Sequence, residues 1–170
     1  MKSTFHTFSQ RTQTVILFIF SLLLGSTSLA ADVPAGCKAS RNFSAEAYRV
    51  WISDGTKVSA SVEQARGPIV ATGQRIELSL MSGGSGSNGF VKFDVATPGS
   101  YVIVSDAYPR MDVTELASGT SFNPVDFGKI RDCGTVSKAL RFEFAKTGSY
   151  SLGFVSSHGA RLNFMIFKMP

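Results

Sequence analysis

The chain has 170 residues, of which 17% are charged and 11% aromatic, with 14 Phe and a formal charge of +5. That length fits one domain, and the apolar content excludes intrinsic disorder. A single long apolar run excludes a polytopic membrane protein, and the scattered Lys and Arg leave no footprint for a nucleic-acid partner.

The apolar run is Val15–Leu24, preceded by Lys2 and Arg11. It is too short to cross a bilayer and has the length of an export-signal core. Ser28-Leu29-Ala30 supplies the small residues that a signal peptidase reads. Residues 1–30 are therefore expected to be a signal peptide cleaved after Ala30, with the protein exported by a bacterium to the periplasm or beyond. Removing Lys2 and Arg11 leaves 15 basic against 12 acidic residues. Residues 31–46 read as an N-terminal arm and residues 47–170 as the folded domain.

Cys37 and Cys133 are the only cysteines. In an oxidising compartment, a minimal even count predicts one disulfide. The rival reading is lipidation, since Ala35-Gly36-Cys37 resembles the end of a lipoprotein signal. Two distant cysteines with one histidine after the signal cannot close a four-ligand metal site, and no cofactor is expected.

Beyond a possible helical turn at 42–47, the chain alternates with period two. Expected strands are 47–53, 57–63, 75–81, 90–95, 100–106, 110–115, 137–145, 149–155 and 161–168. They are rich in Val, Ile, Phe and Tyr and are separated by Gly, Pro, Ser and Asp. Nine short strands predict an all-β fold, a single β-sandwich or jelly roll. Leu162–Phe167 is apolar on both faces, as a central strand would be.

Val91-Lys-Phe-Asp-Val-Ala-Thr-Pro-Gly-Ser-Tyr101 aligns with Leu140-Arg-Phe-Glu-Phe-Ala-Lys-Thr-Gly-Ser-Tyr150. After a two-residue slip, Arg110–Val113 continues the match against Arg161–Phe164. The pattern reads as a repeated hairpin, with Phe93 and Phe142 inward and with Gly99 and Gly148 at the turns.

Gly84-Ser-Gly-Ser-Asn-Gly89 has the spacing of a dinucleotide fingerprint, but a strand follows it where a phosphate site needs a helix. A flexible loop is expected. His158 is the only histidine after the signal, so a two-His iron site and a three-His zinc site are both excluded within one chain. Asp106, Tyr108, Arg110 and Asp112 form the densest polar cluster. Together with His158 and Arg161 in the loop that the repeat makes equivalent, they are the candidate ligand-binding residues. Trp51 is expected on a strand, as core or as a ligand platform.

The segments Phe93-Asp-Val, Gly99-Ser-Tyr, Met111-Asp-Val, Asp132-Cys-Gly-Thr-Val-Ser-Lys138 and Gly148-Ser-Tyr-Ser-Leu152 together resemble a group of small exported proteobacterial proteins. These often carry the label homogentisate dioxygenase. The similarity covers residues 90–166, about half the chain. More loosely, the hairpins resemble pre-peptidase C-terminal domains and similar β-sandwich accessory modules. The resemblance implies an exported β-sandwich. It carries over no catalytic residue, because cupin-type dioxygenases of that name hold iron with two His and a Glu.

The leading expectation is a disulfide-stapled module that binds a small molecule, a glycan or an envelope protein. One alternative is a small hydrolase in which His158 meets Asp106, Asp112 or Asp132. The other is an envelope-associated structural protein without a ligand, pairing through an edge strand.

Overall fold

The computed structural model describes residues 32–83, 86–156 and 159–170. The expected signal peptide, Gly84, Ser85 and His158 lie outside the described residues. Two short helices come first, α1 (Ala35–Ala39) and α2 (Ala45–Trp51). Strands β1 (Thr56–Ser59), β2 (Arg75–Ser79), β3 (Met81–Gly83), β4 (Gly86–Val95) and β5 (Gly99–Ser105) follow. Then come β6 (Arg110–Glu115), β7 (Ser121–Phe122), β8 (Asp126–Lys129), β9 (Lys138–Phe144), β10 (Gly148–Ser156) and β11 (Arg161–Lys168).

The strands form a β-sandwich. One sheet has six strands in the order β1-β2-β11-β5-β9-β8, and the other has five in the order β3-β4-β10-β6-β7. β11 is central, between β2 and β5, as its apolar character requires. β1 runs parallel to β2, whereas the other neighbours pair antiparallel.

The expected strand at 47–53 is instead mostly helix α2. Ser44 caps it by accepting a hydrogen bond from the Ala47 amide at 3.1 Å, which satisfies one of the amides left open at a helix start. Ala47, Tyr48 and Trp51 fall on one buried face at helical spacing. The alternation read in this segment was the shadow of that face. Trp51 is 1% exposed and donates from Nε1 to Thr135 Oγ1 at 3.0 Å, so it is core and not a ligand platform.

The repeated segments are not hairpins. Each crosses from one sheet to the other, β4 to β5 and β9 to β10, and its two arms do not pair. The backbone edges bond to the other copy instead. Phe93 stands opposite Tyr150 and Phe142 opposite Tyr101, while Val95 faces Gly148 and Phe144 faces Gly99. The side-chain bonds follow the same exchange, with Ser149 donating to Asp94 and Ser100 to Glu143. Tyr101 and Tyr150 each donate to the carbonyl four residues back, Thr97 and Lys146. Period-two alternation is the same in a hairpin and in a crossing arch, so the pattern could not separate them. Gly99 has φ +139°, which a side chain would resist, but Gly148 is not in the positive-φ region. Beyond the arches, Val113 and Ile166 occupy corresponding pairings, opposite Leu152 and Ile103. The alignment of Arg110 with Arg161 does not match that strand register.

Two apolar layers result. Between the sheets, Phe144 and Tyr150 lie 4.5 Å apart by ring centroid and Phe93 and Tyr150 5.7 Å. On the outer face of the six-stranded sheet, Val102, Val104, Met165 and Phe167 pack under Phe43, Tyr48 and Trp51. Cys37 and Cys133 are bonded within this second layer and fully buried. The thioether of a lipid anchor would need the same sulfur, so the lipidated alternative does not fit this fold. Gly36 is required by packing, since a Cβ there would lie 1.8 Å from the Arg131 carbonyl oxygen. No described helix is long and apolar enough to cross a membrane.

Candidate functional site

The helical layer stops short of covering the six-stranded sheet. Beyond it, a cleft of about 540 Å³ opens over β1, β2 and the start of β11, lined by Lys57, Arg75, Glu77, Ser79, Asp106, Arg161 and Asn163 among others. Strand register explains the convergence. Lys57, Glu77 and Asn163 stand in one row across three strands. Ser59, Ser79 and Arg161 stand in the next. Alternation along β2 turns Ile76 and Leu78 into the core and leaves Arg75, Glu77 and Ser79 on the cleft side.

Asn163 anchors the floor. Its backbone amide donates to Asp106 Oδ1 at 2.9 Å, and its Nδ2 donates to Asp106 Oδ2 at 2.6 Å. Its Oδ1 accepts from Arg75 Nη2 at 3.2 Å. Arg75 also donates from Nη1 to the carbonyls of Trp51 and Ser53, at the end of α2, and lies 3.7 Å from Glu77. A continuous polar chain therefore runs from the helical layer through Arg75 and Asn163 to Asp106. Lys57 and Arg161 make no ion pair or side-chain hydrogen bond with any described residue.

The six candidate residues divide. Asp106 and Arg161 share the cleft. Arg110 and Asp112 do not line it. They alternate with inward-facing Met111 on β6 and pair with each other at 3.1 Å. That exposed pair contributes little to stability. Tyr108 is half exposed, with the Lys129 ammonium 5.9 Å from its ring centre. His158 lies outside the described residues. The carboxylates of the hydrolase reading stand on separate elements, with Asp106 after β5, Asp112 on β6 and Asp132 in the loop next to Cys133. No metal-binding group of three His, Cys, Asp or Glu occurs among the described residues.

Sequence reasoning missed Lys57, Arg75, Glu77, Ser79 and Asn163. The available signal was Asn163, a polar residue inside the apolar run of β11. It also missed Lys138, which is 8% exposed and donates to the Pro109 carbonyl at 2.6 Å, beside the Phe127 ring. Burial lowers its pKa from the usual lysine value, and Asp112 partly offsets that. At the other end of the sandwich, Glu115 accepts from Lys146 at 2.8 Å and from Ser118 at 2.6 Å. Those bonds hold its pKa below the usual carboxylate value.

No family model matches the chain, and no curated protein does.

Proposed function

We propose that this protein is an exported binding module that takes a small polar ligand in the cleft at the start of β11. One observation carries the reading. The cleft floor is held by the Arg75–Asn163–Asp106 chain of hydrogen bonds, while two side chains at its rim, Lys57 and Arg161, have no described partner. A fixed floor with uncommitted polar groups lowers the ordering cost of binding. The buried disulfide fits an oxidising compartment, so the signal peptide at 1–30 and a periplasmic or secreted location belong to the same proposal. So does kinship with the small exported proteobacterial proteins, as a sandwich family that binds.

The test is amide-resolved NMR on the exported, oxidised chain, titrated with sugars, amino acids and small organic acids. A saturable ligand should shift Ser79, Arg161 and Asn163 together. Saturable binding that leaves these three unmoved would place the ligand site elsewhere.

A further inference from the structure

We infer that the ligand is a small hydroxylated acid, with a uronic acid saccharide as the simplest representative, whose acidic group is held by Lys57 and Arg161 over Ser79. The inference rests on the cleft being the ligand site, as proposed above.

The charge balance of the cleft sets the sign. It contains three cationic and two acidic side chains. Both acids are satisfied by the scaffold. Asp106 takes two bonds from Asn163, and Glu77 stands beside Arg75. Arg75 is in turn spent on the end of α2, on Asn163 and on Glu77. Among the described residues the uncommitted charge is therefore positive, and it belongs to Lys57 and Arg161.

Strand geometry sets the reach. The two residues lie two strands and one row apart, roughly 12 Å between Cα atoms from the usual strand and residue spacings. Ser79 sits between them, opposite Arg161 and one row on from Lys57's own partner Glu77. Two extended side chains rooted that far apart can both reach a group above Ser79.

Size and lining set the rest of the ligand. About 540 Å³ is more than a single inorganic anion fills and falls within the range of small-molecule sites. Leu78 and Leu162 line the cleft, but both are buried and offer no apolar platform. The polar groups that can still bond are the Ser79 hydroxyl and the spare acceptor lone pairs of Glu77 and Asp106, which suit hydroxyl groups.

The experiment titrates the exported chain with digalacturonate, neutral galactobiose and inorganic sulfate, reading the same three amides. Digalacturonate is expected to bind there and to weaken as salt rises from about 20 to about 200 mM, as surface charge pairing does. The double variant Lys57→Gln, Arg161→Gln should lose about tenfold in affinity with an unchanged amide spectrum elsewhere. Galactobiose binding in the cleft as tightly as digalacturonate would overturn the acid requirement and leave the cleft as a ligand site. Sulfate binding as tightly as digalacturonate would overturn the hydroxylated ligand and leave a plain anion site. If none of the three moved the cleft, this inference would fall, and the wider titration above would decide the proposal beneath it.

Discussion

Lys138 shows how one side chain sets a pH dependence. It starts β9 on the same face as Leu140 and Phe142, so its stem enters the space between the sheets. The ammonium is left with the Pro109 carbonyl and the Phe127 ring, and no carboxylate lies within ion-pair distance among the described residues. Burial disfavours the charged form, so the folded-state pKa lies below the usual 10.5. In the window between the folded and unfolded values the unfolded chain binds more protons, and stability rises with pH there. Lys146 and Tyr150 are shifted upward from 10.5 and 10.0, so their contributions are lost as pH rises past those values. They oppose the Lys138 slope toward pH 10, which is why the slope is read against the Lys138 variant. Urea denaturation at about pH 8 and about pH 10 should therefore show the Lys138 contribution improving, and Lys138→Met should remove that slope. An unchanged slope in the variant would show that Lys138 keeps an ordinary pKa.

Among the elements, the two crossing arches carry the core. Their arms meet face to face through aromatic side chains, with Phe144 contacting Phe93, Tyr101, Phe122, Phe142 and Tyr150. Phe144 is 2% exposed and lies where both arches and β7 converge. Phe144→Ala should cost about 3–5 kcal/mol, by loss of burial and by the cavity left behind. Arg110→Ala, which among the described residues breaks only its exposed pair with Asp112, should change stability by less than about 1 kcal/mol. Thermal or urea unfolding of the two variants side by side checks the ranking. Comparable losses would mean that the arch is not the centre of cohesion.

For the whole molecule, the decisive link is the one between the helical layer and the sandwich. Cys37 and Cys133 are 96 residues apart in sequence, and their bond ties α1 to the loop before β9. Constraining a loop of that length limits the unfolded chain and contributes about 4–5 kcal/mol in the chain-entropy model. Trp51, the single tryptophan, sits in the layer that the bond secures and reports on it directly. The variant Cys37→Ala, Cys133→Ala should unfold at markedly lower urea by Trp51 emission, with a loss of that order. Unfolding at the wild-type midpoint would show that Tyr48, Trp51 and Phe43 hold the layer without the bond.

The sequence by itself determined that this is a disulfide-bonded all-β sandwich with a central apolar last strand. Those conclusions rest on local chemistry: period-two burial, turn residues and a minimal cysteine pair. It also brought Asp106 and Arg161 forward, because polar residues cluster around strand ends. Only the tertiary structure decided which edges pair. The same alternation serves a hairpin and an arch, and α2 hid behind an alternation that its capping by Ser44 overrode. Pairing in turn decided the cleft. Lys57, Glu77 and Asn163 are far apart in sequence and become one row only when β1, β2 and β11 lie side by side. Long-range register is a property of several strands at once, so no single segment could announce it.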